Sequence, residues 1–324
     1  MGSDMGLVVL ENVTASYNMR RGLLGSRSVK VVDGVSLSIP ENEAVALVGE
    51  SGSGKTTVGK LSIRLLKPLT GRIFYDGLDV TRLPENRLGK LRRETRMIFQ
   101  DPYASLNPYM SVGEFVEEPL LIHGVEDKAE RVEIVYKALE EVRLTPPQDF
   151  AQKYPHMLSG GQRQRVAIAR AIVLKPRYLV ADEPVSMIDA SSRAEVLEVL
   201  KTLQKDYRMA ILYIAHDLAT TRYFADRVAV MYLGRIVEMG EVEEILSEPL
   251  HPYTQGLIAS IPEPDPGNRF VERETIQGEP PSPQNIPSGC RFHPRCPKAF
   301  ERCRVEDPPL REVRRGRWVA CHLY

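Results

Sequence analysis

The sequence has no excess of charge of either sign, because its 43 Lys and Arg residues are matched by 43 Asp and Glu residues. A balanced charge gives no general affinity for nucleic acid or for an anionic membrane surface, so we expect no nucleic-acid partner. No run of residues approaches the roughly 20 apolar positions that cross a bilayer. The first residues also lack a basic segment followed by an apolar one, so we expect no secretion signal. What remains is the composition of an ordinary globular chain with an α/β pattern.

Cysteine is scarce, and all four cysteines lie after residue 289, at Cys290, Cys296, Cys303 and Cys321. Without a secretion signal, such a group indicates a metal site rather than disulfides. Four thiolates suit Zn²⁺ or an iron–sulfur cluster, and the tight C-x₂₋₄-C pairs typical of zinc ribbons are missing. A group without metal is a third alternative. His293 and His322 are substitute ligands in one interpretation and, more commonly for such residues, bystanders in the other. Nearby arginines would suit a negatively charged cluster, although such a run is more commonly a solvated face. They are Arg291, Arg295, Arg302, Arg304, Arg314, Arg315 and Arg317.

Apolar periodicity predicts strands that alternate with helices, which is typical of an α/β core with a mostly parallel sheet. A helical pattern over 111–174 interrupts this alternation, so we predict a helical subdomain inserted at about 100–174. Proline becomes frequent after residue 248 and the periodicity fades. We therefore predict a main domain over 5–248, followed by a proline-rich linker and a small cysteine-bearing extension over 249–324.

A phosphate-binding loop of the form GxxxxGK[ST] runs from Gly49 to Thr56. It follows an apolar strand pattern and opens a helix, predicted at Thr57–Leu66, which is the context that such a loop requires. Lys55 is expected to reach the β- and γ-phosphates, and the Thr56 hydroxyl to hold Mg²⁺. The loop residues expected to contact a nucleotide are Gly49, Ser51, Gly52, Ser53, Gly54, Lys55, Thr56 and Thr57.

Polar residues at the ends of three further strand patterns complete a candidate phosphate site. Asp182 and Glu183 follow the apolar run Tyr178–Ala181, where Asp182 suits Mg²⁺ and Glu183 can polarise an attacking water. Gln100 follows Met97–Phe99 and can contact Mg²⁺ or that water. His216 follows Ile211–Ala215 and is predicted to contact the γ-phosphate, although alone it would indicate a structural histidine.

Two further features concern nucleotide contacts. Tyr17 could stack on adenine, with an ordinary strand-face tyrosine as the alternative. A Ser-Gly-Gly-Gln turn opens another helix pattern that runs from Arg163 to Leu174. Its residues Ser159, Gly160, Gly161 and Gln162 offer backbone N–H groups at the positive end of a helix dipole, which is a second anion site.

In order and spacing, these motifs resemble the ATP-hydrolysing subunits of ABC transporters, and the likeness covers about residues 5–248. The matching residues are the loop 49–56, Gln100, Leu158–Gln162, Asp182 and Glu183, Ser186–Asp189, and His216. One departure is Ser186-Met187-Ile188-Asp189, where the family usually has Ala and Leu in the middle. The segment Phe99–Pro108, the run His251-Pro252-Tyr253-Thr254 and the cysteine-bearing tail resemble the oligopeptide/dipeptide importer branch.

The resemblance implies a P-loop fold of the ABC type, with ATP and Mg²⁺ as cofactors. It implies that the 158–162 turn of one subunit caps the γ-phosphate held by the loop of a second, identical or homologous, ATPase subunit. Hydrolysis then lets the two chains open. In this scheme Glu183 is the general base, and Asp189 helps to couple the two sites. For the cysteines the resemblance favours a [4Fe–4S] cluster over Zn²⁺.

The same resemblance implies a peripheral protein at the cytoplasmic face of the membrane. Two transmembrane permease subunits would insert short helices against the helical subdomain and the loop after Gln100. Tyr103 and Leu106 would meet these helices, with ordinary packing as the alternative for both residues. An extracytoplasmic solute-binding protein would act indirectly.

The predicted function is ATP hydrolysis coupled to import of oligopeptides or dipeptides, with oligosaccharides such as cello-oligomers as the alternative cargo. A soluble ABC ATPase of translation or DNA repair usually has two cassettes or a long coiled-coil insertion, and this chain shows neither. A non-catalytic subunit disagrees with the intact Lys55, Asp182, Glu183 and His216.

Overall fold

The computed structural model describes residues 6–21, 25–101, 105–261 and 276–324. Its strands are β1 (Val8–Arg21), β2 (Gly25–Ile39), β3 (Ala44–Val48), β4 (Thr70–Tyr75), β5 (Leu78–Asp79), β6 (Thr95–Ile98), β7 (Tyr178–Asp182), β8 (Ala210–Ala215), β9 (Arg227–Tyr232), β10 (Arg235–Glu241), β11 (Arg311–Arg314) and β12 (Arg317–Val319). Its α-helices are α1 (Lys55–Ser62), α2 (Gly89–Glu94), α3 (Val112–Ile122), α4 (Lys128–Glu141), α5 (Pro147–Ala151), α6 (Gly160–Ile172), α7 (Ala190–Asp206), α8 (Ala219–Phe224), α9 (Val242–Ser247), α10 (Pro252–Ala259) and α11 (Glu301–Val305). Within the described ranges, no helix is long and apolar enough to cross a membrane.

The chain divides into two compact units. The first unit takes its described residues from Met1–Ser38, Ala44–Arg82 and Tyr213–Tyr324, and the second unit from Ile39–Glu43 and Leu83–Leu212. The second unit contains the segment predicted as an inserted subdomain. The boundary placed at residue 248 by composition remains a prediction.

One sheet of the first unit has the strand order β2-β1-β4-β5. Strands β1 and β4 pair antiparallel, from Val8 opposite Tyr75 to Thr14 opposite Thr70. Strands β4 and β5 form a hairpin that turns at Asp76 and Gly77, which both have positive φ. Two successive left-handed residues match the right-handed twist of the strands that they join.

A second sheet contains β3 and the last four strands of the chain. In the first unit β3 pairs parallel with β9, β9 antiparallel with β10, β10 with β12, and β12 with β11. All five residues of β3 are buried, which is typical of a parallel strand covered on both faces. Regular structure continues beyond residue 248, where the sequence periodicity fades, since Trp318 and Val319 extend this sheet by pairing with Met239 and Glu238.

The second unit combines parallel strands with capped helices. Strands β6 and β7 are in parallel register from Thr95 opposite Tyr178 to Ile98 opposite Ala181. The helical pattern predicted over 111–174 is confirmed by α3 to α6. Helix α6 begins three residues before the predicted Arg163, because the Ser159 side chain caps it. By contrast α1, in the first unit, ends before the predicted Leu66, and Arg64 beyond its end adopts a left-handed φ of 56°.

Candidate functional site

The phosphate-binding loop lies between β3 and α1 in the first unit, and its glycines are required by close backbone contacts. A Cβ at Gly49 would lie 2.1 Å from the carbonyl oxygen of Met231, and one at Gly54 would lie 2.6 Å from that of Val31. Gly54 is the N-cap of α1 with a left-handed φ of 105°, and no side chain caps the helix. The loop backbone therefore leads directly into a helix N-terminus, where N–H groups and the helix dipole favour an anion.

Lys55 is held against this loop. Its side chain is buried at 5% exposure, and Nζ donates to the carbonyl oxygens of Gly49 at 2.6 Å and Glu50 at 3.0 Å. The ammonium group thus lies against the loop backbone, and Ser53 of the same loop is buried as well. This places the charge predicted for phosphate binding on the loop itself.

Tyr17 lies beside the start of α1. Its hydroxyl is 3.4 Å from Oγ1 of Thr57, and the residue is 40% exposed. An exposed aromatic ring next to a phosphate loop can stack on a base, which is the role predicted from the sequence.

In the second unit, Gln100 and Glu183 meet beyond the ends of β6 and β7. Nε2 of Gln100 donates to Oε2 of Glu183 at 2.8 Å. Glu183 has a left-handed φ of 46°, a conformation that a non-glycine residue adopts at a cost and often at functional positions. The hydroxyl of Ser186 donates to the Glu183 carbonyl oxygen at 3.0 Å and closes the turn. Asp182, the last residue of β7, is only 3% exposed.

The Ser-Gly-Gly-Gln turn forms a capping box at the start of α6. The hydroxyl of Ser159 accepts the N–H of Gln162 at 3.3 Å, and Oε1 of Gln162 accepts the N–H of Ser159 at 3.0 Å. The box leaves the first N–H groups of the helix, at Gly160 and Gly161, without partners inside the helix. A Cβ at Gly161 would lie 2.9 Å from both Cβ and Oγ of Ser192, so the turn packs closely on the first turn of α7.

Asp189 is the N-cap of α7 and accepts the N–H of Ser192 at 2.9 Å. Hydrogen bonds from the Ser191 hydroxyl and then from Ser192 lower the pKa of Asp189 to about 2, so it is charged at neutral pH. The Ser-Gly-Gly-Gln turn at 159–162, called the signature turn below, and Asp189 both contact Ser192 and are therefore neighbours.

His216 follows β8 in the first unit and is exposed. Its Nε2 lies 3.7 Å from Oδ2 of Asp217. Asp217 is itself fixed by the N–H and hydroxyl of Thr220, at 2.8 and 3.0 Å. The imidazole thus lies near a carboxylate that the first turn of α8 holds.

The four cysteines line one small cavity of the first unit. Burial raises the pKa of Cys290 to about 11 and raises the pKa values of Cys296 and Cys321 as well. Within the described residues, no three His, Cys, Asp or Glu side chains are arranged to hold a metal ion. The structure therefore does not confirm the [4Fe–4S] cluster or Zn²⁺ predicted here.

Most of the seven arginines near the cysteines have carboxylate partners. Five of them pair with carboxylates, as Arg291–Asp33, Arg295–Glu50, Arg302–Glu306, Arg314–Glu248 and Arg317–Glu238. Ring nitrogens of His293 and His322 lie 2.9 and 2.8 Å from the carbonyl oxygens of Cys290 and Glu306. Both histidines are thus within hydrogen-bond distance of backbone.

Sequence reasoning missed two residues that contact the phosphate loop from within the first unit, Tyr253 and Arg295. For Tyr253 the available signal was the run His251–Thr254, which in sequence indicates only the importer branch. Of the two residues predicted to meet permeases, Tyr103 lies outside the described residues and Leu106 is buried at 4% exposure.

The loop, the polar strand ends and the capped glycine turn define an ATPase of the ABC class. A family model described as "ABC transporter" matches residues 32–186, and one described as "Oligopeptide/dipeptide transporter, C-terminal region" matches residues 237–303. The chain is 44% identical over 322 residues to the oligopeptide transport ATP-binding protein AppF of Bacillus subtilis, covering 98% of this chain and 97% of AppF. It is 49% identical over 296 residues to a Brucella ovis protein named as a candidate peptide import ATP-binding protein, covering 91% and 92%.

A solved dimeric ATP-binding cassette bound to ADP and Pi superposes with a TM-score of 0.65 at 31% identity, covering 72% of this chain and 98% of that chain. The chain belongs to the ABC transporter ATP-binding proteins, in their oligopeptide/dipeptide branch. It is therefore an ATPase with the predicted P-loop fold of mixed α and β content.

Proposed function

We propose that this chain hydrolyses ATP to energise the uptake of oligopeptides or dipeptides. The observation that carries the proposal is the match of residues 237–303 to the oligopeptide/dipeptide C-terminal region, outside the general ATPase match. The name of AppF agrees with a peptide cargo and gives no support to oligosaccharides. In this role the chain is peripheral at the cytoplasmic face of the membrane, and it acts with a second ATPase subunit and two permease subunits. A solute-binding protein delivers the cargo.

Nucleotide binding is assigned to the residues predicted for it, each by its own chemistry. Lys55 neutralises the β- and γ-phosphates, the loop N–H groups hold phosphate oxygens, and Tyr17 stacks on the base. Bound Mg²⁺ neutralises phosphate charge, and Thr56, Gln100 and Asp182 would hold it. Support comes from the loop geometry, the buried Asp182 and the exposed Tyr17.

Hydrolysis is assigned to Glu183 as general base, which takes a proton from the attacking water. Its carboxylate is held by Gln100 through Oε2, which fixes the position of the group that accepts the proton. His216, which lies near Asp217, donates to the γ-phosphate and stabilises its charge as the bond breaks. These roles follow from residue chemistry and from the two contacts described.

Dimer closure is assigned to the Ser159–Gln162 turn, which binds the γ-phosphate held by the loop of the second subunit. A helix N-terminus with uncapped N–H groups is suited to that anion. Asp189 touches the same turn through Ser192 and couples the two sites. Because the γ-phosphate contacts exist only in the closed pair, ATP shifts the population toward closure and hydrolysis reverses it.

The experiment is transport by cells from which this gene has been deleted. Cells that regain the wild-type chain should take up a labelled tripeptide, and cells given Glu183→Gln should not. Labelled cellotriose uptake should be the same with and without the gene. If the gene restored cellotriose uptake and left peptide uptake unchanged, the cargo would be an oligosaccharide and not a peptide.

We also propose a metal centre at the four cysteines, a [4Fe–4S] cluster in preference to Zn²⁺. The support is that all four thiols line one cavity. Because burial keeps the pKa of Cys290 high, metal binding there must displace a thiol proton. The test is anaerobic purification with iron, sulfide and zinc assays, beside a Cys321→Ser variant. About four iron atoms per chain, lost in the variant, are expected for the cluster; about one zinc would indicate Zn²⁺, and neither metal would contradict the proposal.

A further inference from the structure

Glu50, the second residue of the phosphate loop, directs its side chain to the C-terminal tail. Its carboxylate receives two hydrogen bonds from the Arg295 guanidinium, from Nη1 to Oε2 at 2.8 Å and from Nη2 to Oε1 at 2.9 Å. Such a paired contact fixes both the position and the plane of the carboxylate. The tail therefore reaches back across the sequence and holds one residue of the loop.

The backbone of Glu50 is held as well. Its N–H donates to the hydroxyl of Tyr253 at 2.9 Å. Its carbonyl oxygen accepts Nζ of Lys55 at 3.0 Å and the N–H of Ser53 at 3.2 Å. One residue thus links Tyr253 and Arg295 on one side to Lys55, the phosphate-binding lysine, on the other.

Arg295 is itself fixed by buried surroundings. Its side chain is 7% exposed, against 25% for Glu50. Its Nε donates to the carbonyl oxygen of Gln277 at 3.2 Å, and Nη1 lies 3.4 Å from the Tyr232 hydroxyl. The rings of Tyr232 and Tyr253 are 4.7 Å apart between centroids and form one wall of this site. A shielded charge pair is weakened little by salt, so the guanidinium is kept in place.

We propose that Arg295 is a positioning residue for ATP, and that the tail sets ATP affinity by holding Glu50 and hence the phosphate loop. The inference rests on the proposed role of 49–56 as the ATP loop. Without Arg295, the loop must be ordered when ATP binds, and that ordering weakens binding. Arg295 immediately precedes Cys296, so a displacement of the cysteine segment also displaces the residue that holds the loop.

The test measures the Kd for ATP and kcat of the full chain carrying Arg295→Ala. We expect the Kd to rise about tenfold, in line with the loss of a charge-assisted paired contact, while kcat at saturating ATP changes less than threefold. Arg295→Lys keeps the charge but not the paired geometry, so its Kd for ATP should lie between those of the wild type and Arg295→Ala. The double variant Arg295→Ala/Glu50→Gln should bind ATP no more weakly than Arg295→Ala alone, because the two substitutions remove the same contact.

The matched control is Arg314→Ala. Arg314 makes a paired contact of the same kind with Glu248, at 2.6 and 3.0 Å, elsewhere in the tail. The ATP affinity of the Arg314→Ala variant should equal that of the wild type. Thermal unfolding without nucleotide separates positioning from folding, because Arg295→Lys should unfold near the wild-type temperature and still bind ATP more weakly.

Two results would overturn the inference. One is a wild-type Kd in Arg295→Ala and Arg295→Lys while Lys55→Ala abolishes ATP binding, which would leave the proposed function intact. The other is equal loss in Arg295→Ala and Arg314→Ala, which would assign the effect to general tail stability. Failure of the wild-type chain to bind ATP would instead contradict the proposed function.

Discussion

Gln100 and Glu183 are joined by a hydrogen bond of 2.8 Å from Nε2 to Oε2, just beyond the ends of the parallel strands β6 and β7. The bond occupies one carboxylate oxygen and fixes the direction of the other. It also connects the proposed general base to the segment that leads into helices α3 to α6. A displacement of that segment would therefore reorient the base.

Replacement of Glu183 by Gln is expected to abolish hydrolysis and leave ATP binding intact. The amide oxygen can still accept from Gln100, so the substitution removes the base and preserves the contact. We expect kcat to fall at least about 100-fold, the usual contribution of a general base. Phosphate release and ATP binding measure the two effects, and size-exclusion chromatography with ATP should show an accumulated dimer. A variant that stays monomeric with ATP would contradict the shared site.

The Ser159 cap can be compared with an equivalent cap that has no proposed role. Ser111 forms a capping box with Glu114 at the start of α3, as Ser159 does with Gln162 at α6. Replacement of either serine by Ala should lower the free energy of unfolding by about 1 kcal/mol. Only Ser159→Ala should also weaken ATP-dependent dimerisation. Equal dimerisation in the two variants would exclude Ser159 from the γ-phosphate contact.

The close contact between Gly161 and Ser192 predicts a suppressible defect. Gly161→Ala places a methyl group 2.9 Å from Cβ and Oγ of Ser192, and overpacking of this kind costs roughly 1 to 3 kcal/mol. Ser192→Gly removes both atoms and should restore part of the loss. Thermal or urea unfolding of the two single variants and the double variant measures the coupling, and simple additivity would contradict the contact.

The buried pair Arg317–Glu238 should stabilise the attachment of β12 to β10. Arg317 is 4% and Glu238 0% exposed, with 2.8 Å between Nη2 and Oε1. Arg317→Met leaves a buried carboxylate alone and should cost roughly 3 to 5 kcal/mol. Adding Glu238→Gln removes the charge and keeps one acceptor oxygen, for the N–H of either Leu250 or His251, which donate to different oxygens of Glu238, and should recover part of that loss.

The same pair predicts how stability depends on pH. Burial raises the pKa of Glu238 above its ordinary value. A raised pKa in the folded chain contributes stability below the pKa of the unfolded chain and loses it as pH rises through the folded value. The defect of Arg317→Met should therefore be larger at pH 8 than at pH 5. The double variant has no ionisable group at either position, so its own stability should carry no pH dependence from this pair.

The sequence predicted the core of the fold because its signals are local. Glycines and Lys55 mark the phosphate loop, and the apolar runs before Asp182 and His216 mark buried strands. Local signals also explain the small errors at helix ends, since the Ser159 cap extends α6 and the left-handed Arg64 follows the early end of α1.

The sequence could not predict the tail, because its partners are distant. Arginines interrupt the alternation of apolar and polar residues that would indicate β11 and β12 as strands. Strand β12 also pairs with a strand about eighty residues earlier. Arg291, Arg295 and Arg317 were associated with the cysteines by proximity in sequence. Their carboxylate partners are Asp33, Glu50 and Glu238, and only the folded chain brings these together.

The central claim is that each ATP site is completed by the signature turn of another chain, and a mixture of two inactive variants tests it most directly. Lys55→Ala and Ser159→Arg should each abolish hydrolysis, under conditions in which the wild-type chain alone is active. In a mixed dimer, the Lys55 of one variant meets the Ser159 of the other, and one intact site is formed. We predict that mixing restores ATP hydrolysis, to at most half of the wild-type rate per dimer. A mixture as inactive as its components would show that the turn serves its own chain's nucleotide, and would contradict the account.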